Sequence, residues 1–117
     1  MENHKLVMPE HLNHFGYLFG GYLLKWVDEN GWMAASLEYP GCNFVTMAMD
    51  HVEFRKSVRK GTILTFQVSR TSTGTTSVQY MVIVYRGTAH EDADMIFTTN
   101  VTFVRVDEKG NKMALPT

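Results

Sequence analysis

The sequence is short of several things at once. It has one cysteine, Cys42, which excludes an internal disulfide and any cysteine-rich zinc site. Neither sign of charge dominates: 11 basic against 12 acidic side chains leave a net charge of −1, too little for a field that holds nucleic acid or an anionic membrane. No apolar run exceeds a few residues, so no segment is expected to insert in a bilayer. The opening Met1-Glu2-Asn3-His4-Lys5 is polar with no apolar stretch, so no secretory leader is expected and a cytoplasmic setting is. Prolines number three, and no Gly-x-Ser-x-Gly elbow, phosphate loop or dinucleotide fingerprint occurs. What is present is a 117-residue chain, 44% hydrophobic and 12% aromatic. That composition suits one compact domain over residues 1–117, without repeat or linker.

The pattern predicts one long helix and then strands. Gly16 to Leu37 reads as helix, stopped by Pro40-Gly41, with Gly20 or Gly21 as the alternative start because glycine is a poor helix former. Asn43–Phe54, Thr62–Ser72, Ser77–Arg86 and Met95–Val106 are rich in β-branched and aromatic residues and read as strands. Leu6-Val7-Met8 adds a short first strand. Breaks at Gly61, Gly74 and Gly87 predict hairpins. The expected fold is α+β, an antiparallel sheet wrapped around one helix. Apolar side chains left over from that packing point to an oligomer.

At ~100° per residue the helix separates three stripes. Phe19, Tyr22, Leu23, Trp26, Asn30, Met33, Ala34 and Leu37 form the expected core face, and Lys25, Glu29, Trp32 and Ser36 a polar one. The third stripe, Gly21, Leu24, Asp28, Gly31 and Ala35, has small residues that admit another backbone. A carboxylate there is either an exposed helix charge or a placed general base or nucleophile. Gly20-Gly21 at the helix start either packs tightly on a neighbour or offers bare N–H groups to a carbonyl oxygen. Asp50 and Glu53 are the rival carboxylates. Arg55, Lys56, Arg59 and Lys60 form a basic cluster that suits phosphates or simply solvates a turn. His11 and His14 lack a carboxylate to complete a metal triad, so no metal is expected.

Asn13, three positions later Gly16, then Phe19-Gly20-Gly21, two apolar residues and Asp28 resemble the signature of the hotdog-fold acyl-CoA thioesterases. The subgroup is the bacterial acyl-CoA hydrolases related to the tandem-hotdog brain-type enzymes. Val45-Thr46-Met47-Ala48-Met49-Asp50, Phe54-Arg55-Lys56, Gly61 and Thr102–Asp107 continue the likeness. Where the family has Lys-Pro and Gly-Arg-Ser-Ser, this chain has Lys56-Ser57 and Gly74-Thr75-Thr76-Ser77. The resemblance implies hydrolysis of acyl-CoA to a carboxylic acid and CoA, at a site between two subunits. It makes Asp28 the catalytic carboxylate and Asn13 its assistant from the opposite subunit, with the Gly21 N–H on the oxyanion. It puts substrate contacts at Phe19, Gly20, Arg55, Lys56, Gly74 and Ser77. No cofactor is implied, since CoA belongs to substrate and product. The partners implied are acyl-CoA and further copies of the chain, a homodimer assembled into a tetramer or hexamer, with no nucleic acid. The alternatives are a hotdog dehydratase or hydratase, and a hotdog that binds acyl-CoA or lipid without turnover.

Overall fold

The computed structural model describes residues 1–87 and 94–116. In chain order it has strand β1 (Glu2–Leu6), a 3-10 turn (Pro9–His11), helix α1 (Gly20–Glu38) and strands β2 (Asn43–Phe54), β3 (Ile63–Thr73), β4 (Ser77–Arg86) and β5 (Met95–Val106). The strands form one antiparallel sheet in the order β1-β3-β4-β5-β2. Three of the four long strands and the later helix start are where the composition puts them, and β3 is displaced by one residue.

Two expectations about connections need correcting. β2 pairs with β5 and not with β3, so the chain around Gly61 crosses from one side of the sheet to the other and makes no hairpin. Gly61 has a φ of +83°, and its N–H donates to Val7, which ties that crossing to the end of β1. The first strand is Glu2–Leu6, overlapping the expected one only at Leu6, because backbone pairing with β3 rather than side-chain burial holds it. The turn at Gly74 and the β4–β5 connection are hairpins as expected; residues 88–93 of the latter lie outside the described residues.

The core lies between the concave face of the sheet and α1. β4 alternates cleanly, sending Val78, Tyr80, Val82 and Val84 inward, and β5 adds Phe97, Val101 and Phe103. The helix presents Leu23, Trp26, Val27, Asn30, Gly31, Ala34 and Ala35 to them. That face is rotated by roughly 60° from the expected one. Phe19, Met33 and Leu37 are exposed, while Gly31 and Ala35 of the small stripe are buried. The physical reason is Phe103: a Cβ on Gly31 would stand 2.9 Å from its ring, so the small residues admit an aromatic side chain of the same chain and not a foreign backbone. Asn30 is buried as expected, donating to the Trp26 carbonyl at 2.8 Å and accepting from Asn3 at 2.7 Å. At the far end of the helix the Tyr80 hydroxyl donates to Glu38, and burial together with that bond holds the phenol above its usual range.

Candidate active site

The segment before the helix is a tight loop built on Asn13. Its N–H donates to the Tyr17 carbonyl at 2.7 Å, and Leu12 bridges Leu18. Its side-chain Oδ1 accepts from the N–H groups of Phe15 (2.9 Å) and Tyr17 (3.1 Å). Gly16, at φ +84°, supplies the left-handed residue that closes the turn. The amide oxygen is thus committed to the loop, and the Nδ2 hydrogens have no acceptor among the described residues.

The helix then starts without a side-chain cap. The N–H groups of Tyr22 and Leu23 turn back to the Phe19 carbonyl, at 3.0 and 3.3 Å. Those of Gly20 and Gly21 have no acceptor among the described residues, at the positive end of the helix dipole. The tight-packing reading of these glycines also holds, because two rings close on them. A Cβ on Gly21 would lie 2.7 Å from the Phe19 ring, and one on Gly20 3.3 Å from Phe54. Asn13, Gly20, Arg55 and Lys56 line one cavity of about 440 Å³, with Leu18 and Phe54 among its apolar walls. Four of the residues singled out by sequence therefore meet.

Asp28 stands elsewhere. It is half-buried on the helix flank that faces β2, where the Thr46 hydroxyl donates to its Oδ1 at 2.6 Å. It lines a separate cavity of about 590 Å³ that does not include Asn13. Seven residues of helix separate it from Gly21, about 10 Å along the axis at 1.5 Å per residue. One substrate carbonyl cannot touch both within a single chain. Thr46 is the neighbour of Asp28 that the sequence did not single out. It lay inside the family signature, but only the folding of β2 against α1 shows that its hydroxyl meets the carboxylate.

The remaining candidates disperse. Arg55 pairs with Glu53 at 3.1 Å, and Arg59 lies over the Tyr17 ring, so the basic cluster divides between the cavity and the loop. Asp50 is exposed, 3.8 Å from His51, which has a φ of 59° inside a bulge of β2. Gly74 and Ser77 close the β3–β4 turn, with the Gly74 N–H on the Ser77 carbonyl at 2.8 Å. They sit at the opposite end of β4 from the Arg55 cavity, about 30 Å away at 3.3 Å per residue. Within one chain they are not substrate contacts beside Arg55 and Lys56. Among the described residues no group of three His, Cys, Asp or Glu side chains is placed to hold a metal ion, and no helix is long and apolar enough to cross a membrane.

The sequence model of the thioesterase superfamily matches residues 15–93, the stretch that carries the helix, the Gly-Gly start, Asp28 and Thr46. The chain belongs to the thioesterase superfamily. Solved members of that superfamily share the whole fold. A hexameric hotdog-fold thioesterase of Campylobacter jejuni is 28% identical, covers 97% of this chain and 88% of its own, and superposes with a TM-score of 0.84. An acyl-CoA hydrolase of Staphylococcus aureus, solved in complex with butyryl-CoA, CoA and CoA disulfide, is 27% identical with a TM-score of 0.86. It covers 99% of this chain and 71% of its own. The architecture is therefore the hotdog fold. Among curated proteins, the mouse acetyl-CoA thioesterase is 33% identical over 67% of this chain. This thioesterase-superfamily chain spans only about a tenth to a third of the length of the first curated relatives it matches.

Proposed function

We propose that this chain is an acyl-CoA thioesterase, releasing a carboxylic acid and CoA at a site shared by two copies. The observation that carries the reading is the division of the catalytic groups into two cavities. One holds Asn13 and the bare helix start beside Arg55 and Lys56; the other holds the Asp28–Thr46 pair. In the assembled site the thioester oxygen accepts from the Gly21 N–H, with Gly20 beside it, and Asp28 of the other copy faces the carbonyl carbon. Asp28 either takes the proton of an attacking water or attacks directly to give a mixed anhydride that water then opens. In both routes the C–S bond breaks and CoA leaves as its thiol. The free Nδ2 of Asn13 orients the water or the reacting oxygen, while Phe19 flanks the entering thioester and Arg55 and Lys56 take the CoA phosphates. No metal or redox group enters these steps.

The second copy has a place to dock. β2 is a twelve-residue edge strand without lysine or proline, and Val45, Met47, Val52 and Phe54 are exposed along it. Such an edge invites pairing with another strand. We propose a homodimer paired through β2, assembled further as the hexameric Campylobacter jejuni protein is. The spacing of the catalytic pair lends support: structures of the Staphylococcus aureus hydrolase include alanine variants at an asparagine and an aspartate fifteen positions apart, as Asn13 and Asp28 are. A dehydratase would need a histidine–carboxylate pair at the helix start. His11 packs against Tyr22 and Trp26 with its Nδ1 occupied by the Met8 N–H, which favours hydrolysis. A cytoplasmic setting accords with the single free Cys42. The test is CoA release from a panel of acyl-CoAs, read with a thiol reagent. Release that vanishes in Asp28→Asn supports the reading; binding without release would make the protein an acyl-CoA binder instead.

A further inference from the structure

The cavity that holds Asp28 also says what the acyl group is. If Asp28 faces the thioester carbon, the acyl chain runs on from that carbon into this space of about 590 Å³, so the inference rests on the thioesterase reading. Its walls are mixed, apolar along one side and charged along the other. Of the ten residues lining it only Trp26, Trp32 and Met33 are apolar; the other seven are polar or charged. Each methylene gains about 0.8 kcal/mol only when it leaves water for an apolar surface, so an alkyl chain gains only along the side formed by Trp26, Trp32 and Met33, and the charged side is what sets this cavity apart.

Two ammonium groups face this space. Lys25 has neither an ion pair nor a hydrogen-bond partner among the described residues, although Glu29 stands one turn further along the helix. Lys5, from β1, lies with its Nζ 5.3 Å from the Trp26 ring centroid and pairs with no carboxylate among the described residues. Lys25 precedes Asp28 by three residues, about 4.5 Å along the axis and 60° around it. That offset is within the reach of a short chain whose first carbon is at Asp28 and whose last carries a negative charge. Asp28 and Glu29 offset the two lysines, so the empty cavity holds no excess of positive charge; an entering carboxylate is met locally by Lys25 on its flexible stem.

We infer that the preferred substrate is the CoA monothioester of a short dicarboxylic acid of about five carbons, its free carboxylate held by Lys25 with Lys5 beside it. Both lysines are exposed, so a charge-assisted bond here is worth about three- to fivefold in affinity. The experiment compares glutaryl-CoA with butyryl-, hexanoyl- and octanoyl-CoA on the intact oligomer, before and after Lys25→Gln and Lys5→Gln. The expected result is a kcat/KM for glutaryl-CoA about three- to fivefold above that for butyryl-CoA. Lys25→Gln should erase most of that preference while leaving butyryl-CoA within about 1.5-fold. Values that rise from butyryl- to octanoyl-CoA and exceed that of glutaryl-CoA overturn the inference, as does an equal loss on both substrates in Lys25→Gln. If no acyl-CoA is hydrolysed, it is the thioesterase reading that fails. Calorimetric binding of glutaryl- and butyryl-CoA to the Asp28→Asn protein then decides the acyl preference separately, and equal affinities overturn it.

Discussion

At the scale of single residues, the proposed chemistry is tested at the Asp28–Thr46 contact. Asp28→Asn keeps the size and the hydrogen bond but cannot take a proton or attack a carbonyl, so kcat is expected to fall by ~10²–10⁴ with the thermal transition unchanged. Rates within a few-fold of the parent would hand the role to Asp50 or Glu53. Thr46→Val is the finer probe, because it removes only the hydroxyl that donates to Oδ1 at 2.6 Å. It should lower kcat by about tenfold and move KM much less, since a positioning bond matters most when charge develops. A change in KM alone would mean that Thr46 touches substrate and not the carboxylate. Asp28 stood out as a candidate from its place in the helix and from the family resemblance; its contact with Thr46 did not. Their separation of eighteen positions corresponds to no local period, and only tertiary packing of an edge strand on a helix joins them.

At the scale of elements, the sequence carried the strands further than it carried the helix's orientation. Strands β4 and β5 are buried on one face and bounded by turns, so β-branched runs with period two mark their ends closely. The helix has a wide apolar girdle, and bulky residues such as Phe19, Met33 and Leu37 pulled the expected core face towards themselves. The sheet chose differently because Phe103 needs the notch that Gly31 leaves. The Gly61 hairpin failed for a related reason: a turn residue shows where the chain bends and says nothing of which strand it bends towards. The Gly31–Phe103 fit can be measured. Gly31→Ala gains intrinsic helix propensity, yet its Cβ would stand 2.9 Å from the wholly buried Phe103 ring, which must shift within a close-packed core. The expected balance is a net loss of about 1–2 kcal/mol in chemical denaturation. A stabilised variant would show that the core has slack at Phe103.

At the scale of the whole molecule, the proposal makes the two cavities halves of one site. The Asn13 cavity and the Asp28 cavity lie on different parts of one chain, and in the proposed dimer a second copy brings Asn13 and Gly21 to the Asp28 of its neighbour. The single chain made this hard to read from residues alone, since a stripe shared by Gly21 and Asp28 suggests one continuous site along the helix. It is the ~10 Å of helix between them that argues against it. Subunit mixing provides the test. Asn13→Ala and Asp28→Ala are each expected to be inactive as pure oligomers, the first also loosening the loop that its Oδ1 caps. After exchange in equal amounts, random pairing makes half of the dimers mixed, and each mixed dimer keeps one site with both residues intact, so about a quarter of parental activity should return. If Asn13 and Asp28 served within one chain, no mixed dimer would hold an intact site and nothing would return. The same mixed oligomers offer a second comparison. Arg55 and Lys56 share the cavity with Asn13, so an Arg55→Ala, Lys56→Ala double change should raise KM for acyl-CoA when it is carried by the Asp28→Ala chain, which supplies the working Asn13 cavity. Carried by the Asn13→Ala chain it should leave the surviving site unaffected, because that chain contributes only Asp28. Equal effects from either chain would place the phosphates of CoA outside the Asn13 cavity.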